Sequence, residues 1–359
     1  MMRQAIRGLV LLGLLALLVD SPARAQNAVP DKVTIRDRKD GTIKTVDGQF
    51  KVGPAGFQVV GGEKLDKVVA TVAPDDVVKV AIGDLAGVDR PAISGLNTKE
   101  DQKDYDAVRT GYLDLFKKSA SAPERTKRYL KFKAVTAGSK IVDGLDPDKG
   151  WKEKADAAIT EWKDYLTDFP TGWEQWPAVR ASTRLQIERG KHEDAARSWA
   201  KLSKSPDLPP DAKLEAALQE IDLEIRAKKY SAVLGLTSEL LKSAAGAKKD
   251  RLVIYEIAAR AGSDGKPLDG IDKIKAEMNK TKDASVHTTG FSMLGELYLA
   301  GGKPRDALWE FAMVETVLNQ DRDEVLKAMS RLAEMFEAQG DKEQEAKCRE
   351  KLKRLRATF

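Results

Sequence analysis

The sequence predicts an α+β chain with the two classes in separate domains: a small antiparallel β-barrel followed by an all-α superhelical solenoid. Three observations predict it. Residues 32–83 hold short β-branched runs divided by Gly, Pro and Asp turns, which is the pattern of strands. From residue 99 onward apolar residues recur at three and four, the period of amphipathic helices. The stretch Leu294 to Phe311 (LGELYLAGGKPRDALWEF) places Gly295 and Ala307 on either side of a Gly301-Gly302 turn, where two helices must approach closely. Leu294, Tyr298 and Phe311 supply the bulk around that approach.

The bulk numbers agree. A chain of 359 residues has room for about two domains. Charged residues make up 33% and aromatics 6%, which suits a solvent-rich helical array better than a large buried α/β core. The net charge of +5 falls to about +3 without residues 1–25, and so balanced a surface is not the footprint of a nucleic-acid binder.

Those first residues carry the three parts of a secretory leader: Arg3 and Arg7, the apolar run Gly8 to Val19, and small residues at Ala23-Arg24-Ala25. The apolar run is shorter than the about 20 residues a membrane-spanning helix needs. Cleavage after Ala25 and export to a periplasmic or extracellular location are the expectation. The single cysteine, Cys348, cannot form an internal disulfide and reads as a small residue on a helix face; an intermolecular disulfide is the sharper alternative.

After the leader, residues 26–84 form the expected β-domain. Val33 and Ile35 face Ile43 and Val46 across a turn at Lys39-Asp40-Gly41. Phe50 and Val52 alternate with polar neighbours, Phe57, Val59 and Val60 follow, and Val68 to Ile82 closes the segment around Pro74-Asp75-Asp76. Asp75 and Asp76 could be taken for paired carboxylates, but a turn or one-turn helix is the simpler reading. The layout resembles an SH3-like or Sm-like barrel.

Gly83 to Asn97 has Gly, Pro and little periodicity, so residues 85–98 are expected to link the domains. Thr98 then reads as the cap of a helix over 99–119, with Tyr105, Val108, Tyr112 and Leu115 along its apolar stripe. Further helices are expected over 124–138, with a loop at 140–149, and over 151–169, where Pro170 stops the last. Gly190, Tyr230, Gly265, Gly301-Gly302 and Gly340 mark later turns. Gly270, which weakens a helix by about 1 kcal/mol relative to Ala, implies a tight crossing. The count is about six helix pairs over 121–356.

The order of small and large residues in these pairs resembles the tetratricopeptide repeat, most fully at Leu294–Phe311, and in part at Ala158, Trp162 and Pro170 and at Gly190, Ala195, Trp199 and Pro206. The resemblance implies a curved array of helix pairs over 99–359 that binds a protein or peptide along its inner face. Arg180 and Arg184, four apart on one helix, with Asp222, Tyr255, Glu296 and Glu334, would fall on that face. Chaperone-binding members of the family clamp a terminal carboxylate with lysines and asparagines. Matching asparagines are missing here, so that activity is not carried over.

No reaction is legible. His192 and His287 have no second ligand at metal spacing, and each has a simple surface explanation. There is no Gly-x-Ser-x-Gly elbow. The glycines before Lys266 and Lys303 join helices rather than a strand and a helix, so they are turns and not phosphate loops. No cofactor is implied. Trp173 and Trp176 form an aromatic corner read as packing between units. The basic end CREKLKRLRATF complements a helix C-terminus, and contact with a membrane or cell-wall surface is the alternative. The expected role is therefore an exported, non-enzymatic scaffold that binds protein. An envelope-assembly factor, or an enzyme with no local signature, is the alternative.

Overall fold

The computed structural model describes residues 29–37, 40–62, 66–146 and 150–358. The expected leader and its cleavage point lie outside them. Six strands precede fourteen α-helices among the described residues. None of these helices is long and apolar enough to cross a membrane.

The strands form two three-stranded antiparallel sheets and not a closed barrel. One has the order β2 (Ile43–Asp47), β1 (Lys32–Arg36), β6 (Val77–Ala81). The other has the order β3 (Gln49–Gly53), β4 (Gly56–Gly61), β5 (Lys67–Val72). The barrel expectation is thus corrected, and the aromatic residues explain why. Val33, Ile35, Phe50, Phe57, Val59 and Val80 are buried, but they do not fill a barrel by themselves. Trp173 packs on Phe50 with ring centroids 5.5 Å apart, and Trp176 meets Phe57 edge-on at 6.4 Å. The helical region thus covers a face that a barrel would have sealed with its own strands. Trp173 also packs on Phe132 at 5.5 Å and Trp176 on Trp199 at 5.3 Å, so the corner packs between helical units as expected and joins them to the sheets as well.

Asp31 fastens this arrangement. Buried ahead of β1, it accepts from the backbone N–H of Phe50 at 3.0 Å and of Gly83 at 3.1 Å, and pairs with Arg125 in the helical region. One carboxylate satisfies two backbone donors and an arginine, an arrangement that suits a buried charge. Pro74–Asp76 form a single 3-10 turn between β5 and β6, as the sequence suggested.

The expected linker is largely helix. Helix α1 spans Arg90–Asp101 with Pro91 in its first turn, and Thr98 lies inside it, donating to Ser94 O at 3.1 Å rather than capping a start. The cap belongs to Asp104, whose carboxylate accepts from Ala107 N ahead of α2 (Tyr105–Lys118). The single helix expected over 99–119 is therefore split, with Lys103 at positive φ in the break.

From there the helices pair as expected: α3 (Glu124–Gly144) with α4 (Trp151–Asp168), α5 (Gln175–Glu188) with α6 (His192–Ser203), and α7 (Pro210–Arg226) with α8 (Tyr230–Leu240). Then come α9 (Gly246–Ser263) with α10 (Ile271–Met278), α11 (Ala284–Ala300) with α12 (Pro304–Thr316), and α13 (Arg322–Gln339) with α14 (Lys342–Arg356). Helix α3 runs on to Gly144, through half of the expected loop, because Val142 has a core to enter with Trp151 and Ile159. Gly295 and Gly270 behave as read. A Cβ on Gly295 would meet Phe311 at 2.6 Å, and one on Gly270 would meet Leu297 at 2.7 Å. The array is consistent with a helical-repeat solenoid, but its ends meet, because α13 packs on α5 and α14 on α3.

Candidate functional site

The residues expected along the inner face do lie on the first helices of their pairs, but the charged ones are engaged by partners within this chain. Asp222 and Arg226, one turn apart on α7, pair at 3.1 Å. Arg226 also reaches Glu296 on α11 at 3.2 Å, and Glu296 receives both Arg331 Nε at 2.7 Å and Nη2 at 2.8 Å from α13. Lys327, one turn before Arg331, donates to Asp222 at 2.8 Å and to Glu324 at 2.7 Å. Three helices far apart in sequence are thereby tied through a continuous chain of charges. The Asp222 and Arg226 side chains are 1% and 0% exposed.

Such charges persist in a dry interior only where each has an opposite partner and hydrogen bonds. Burial disfavours the Asp222 carboxylate, yet Arg226 and Lys327 hold it well below the usual carboxylate range. Burial pushes Glu324 up, and Lys327 offsets that only in part. Tyr255, buried beside this chain of charges, has its phenol pushed up to about 12 by desolvation, reinforced by Asp222.

Arg180 and Arg184 do not act together. Arg180 Nε binds Asp323 on α13 at 2.6 Å with Asp75 at 4.0 Å, whereas Arg184 is buried in a pair with Asp143 of α3 at 2.7 Å. Asp222 and Glu296 are joined through Arg226, Glu334 is tied to the same chain through Arg331 at 2.6 Å, Tyr255 lies buried beside it, Arg180 is held on α13, and Arg184 stands apart with Asp143. The inner face is therefore occupied by ion pairs of this chain.

The basic end is occupied in the same way. Arg356 binds Glu188 at 2.6 Å, Lys351 binds Glu315 at 2.7 Å, Arg349 binds Glu345 at 2.6 Å, and Lys353 pairs with Asp146. Cys348 is buried on α14, the helix-face placement expected.

His192 departs from its surface reading. It opens α6, is buried, and sets Nε2 3.4 Å from Glu334 Oε1. Burial would raise the Glu334 carboxyl, but His192 and Arg331 bring it down to about 2. His287 does sit in the first turn of α11, against Thr281 O at 2.9 Å. Among the described residues, no group of three or more His, Cys, Asp or Glu is arranged to hold a metal ion.

Glu188, Arg226, Glu324, Lys327 and Arg331 carry these ion pairs, and none of them is singled out from the sequence. A signal was there: Asp222 and Arg226 at four, and Glu324, Lys327, Arg331 and Glu334 at three and four, put charge on helix faces that otherwise carry apolar residues. No family model, no curated protein and no solved structure matches the chain.

Proposed function

We propose that this chain is an exported, non-enzymatic scaffold of the tetratricopeptide-repeat type that binds a protein partner. The observation that carries the reading is the run of consecutive helix pairs, whose inner charges are engaged with one another while a large apolar group stays outside. Trp309 on α12 is 71% exposed, and Val317, two turns on and at the end of the same helix, is also exposed. A tryptophan left in water at the surface of an ordered helix is the kind of residue that anchors a protein contact when a partner covers it. Binding would then use the outer helices, through complementarity of shape over adjacent pairs. The leader pattern of residues 1–25 supports export.

The test is affinity capture with the purified chain from an exported fraction, followed by mass spectrometry, using wild type and Trp309→Ala. The reading expects proteins retained by wild type and lost by the variant, with unchanged thermal unfolding. Identical recoveries from both, or none from either with a monodisperse monomer, would remove it.

A further inference from the structure

The end of α12, the first half of α13 and the last half of α14 frame a cavity of about 350 Å³ that opens to solvent, near the lower end of small-molecule sites. Helix spacing builds it. Arg322, Val325 and Met329 recur at three and four along α13, and Lys351 stands three and four residues before Arg354 and Leu355 on α14, so each helix turns one face to the cavity. Val325, Met329 and Leu355 make its walls apolar, and most of its accessible lining is apolar with them.

The rim is positive. Arg322, Lys351 and Arg354 stand there against one acid, Glu315. All three cations are open to water: Arg322 is exposed, and the Lys351 and Arg354 side chains are 54% and 76% exposed. Arg322 has no carboxylate partner among the described residues. Its hydrogen bond goes to Thr358 O, which leaves most of its five N–H donors unspent. Lys351 pairs with Glu315 at 2.7 Å and Arg354 with Glu350 at 3.3 Å, but pairs whose cations lie so far into solvent are worth little, and an incoming anion can compete for them. An apolar tail with an acidic head matches this set, the walls taking the tail and the guanidinium groups the head. The rim repels a cation, and a neutral amphiphile gains the walls alone.

We infer that the cavity binds an aliphatic carboxylate, a short fatty acid in chemical class. Its tail lies along Val325, Met329 and Leu355, and its carboxylate stays at the rim with Arg322, Lys351 and Arg354. Trp309 does not line this cavity, so the site is independent of the protein contact proposed above, and either can fail without the other.

Isothermal titration of the purified chain with octanoate, hexanoate, octanol and octylamine tests it. Octanoate should bind most tightly, ahead of hexanoate by about fourfold for each CH₂ that the walls bury. Arg354→Gln, an exposed change, should weaken octanoate about threefold, and Arg322→Gln with Arg354→Gln about tenfold, while octanol is unaltered in both. Trp309→Ala should leave octanoate unchanged. No heat from octanoate on a chain with its native unfolding transition would mean that the cavity holds solvent alone, and overturns the inference. So does octanol or octylamine binding as tightly as octanoate, equal affinity for hexanoate and octanoate, or an unchanged octanoate affinity in the double variant.

Discussion

Trp176 donates its indole N–H to the Asp75 carboxylate across 2.8 Å, joining residues 101 positions apart. The same indole packs edge-on against Phe57 and Trp199, so one side chain ties the second sheet to α5 and α6. Trp176→Phe keeps a ring but loses the donor and part of the packing. A loss of about 2 kcal/mol is expected, read as a lower urea midpoint at unchanged slope.

Asp75 gives a pH test. Part of its side chain, 41%, reaches solvent, yet surrounding protein raises its carboxyl to about 6 against the pull of Arg180. The folded state thus holds this proton more tightly than the unfolded chain, whose carboxyl keeps the ordinary value of 3.8. Its contribution is fully present below that value and is lost as pH rises through about 6. Asp75→Asn keeps an acceptor for Trp176. It should match wild type in unfolding temperature at pH 3 and exceed it at pH 7.5; equal temperatures at both would contradict the assignment.

Glu334 has the opposite sign. Held at about 2 by His192 and Arg331 despite burial, it contributes stability that is complete above the unfolded value of 4.5 and is lost as pH falls toward 2. The stability gap between wild type and Glu334→Gln should be largest at pH 7 and narrow between pH 4.5 and 2 in denaturant titrations.

Removing one member of the buried charge chain should cost more than its pairwise contacts suggest. Arg226→Met leaves Asp222 and Glu296 short of a cation in the interior, and a loss of about 3–5 kcal/mol is expected. Restoring balance with Arg226→Met plus Asp222→Leu should recover part of that loss. Chemical denaturation of the single and double variants measures the coupling, and simple additivity would rule out a shared network.

Gly295→Ala probes the nested helices. The new methyl would meet the Phe311 ring at 2.6 Å, and the fully buried ring has little room to give. Overpacking of this kind costs about 1–3 kcal/mol. Phe311→Leu in the same chain should relieve part of it, which a generic loss of backbone freedom at residue 295 would not allow.

Helix pairing was legible because it rests on local chemistry. Gly190, Gly265 and Gly340 adopt the positive φ that ends a turn, and Pro304 opens α12 in a position where a missing N–H costs nothing. The strands were legible for the same reason, through alternation around Phe50 and Phe57. What covered those strands was not, because it depended on Trp173 and Trp176 arriving from over a hundred residues away. The linker differs from the expectation because glycines at 87 and 95 mask a helix whose neighbours supply its stability. Helix spacing alone places the inner charges on one face and does not show what they meet. Their partners lie on helices up to 143 positions away, as with Arg180 and Asp323, and no local period reports that distance.

The meeting of the array's two ends bears on how the molecule comes apart. An open row of repeats can fray from its last unit inward, because each unit leans only on its neighbours. Here Arg356 grips Glu188 across 168 positions, and Lys353 grips Asp146 across 207. The final helix acts as a clasp: it cannot peel away without loosening α3 and α5, and those two helices lack part of their packing until the last of the chain has been made.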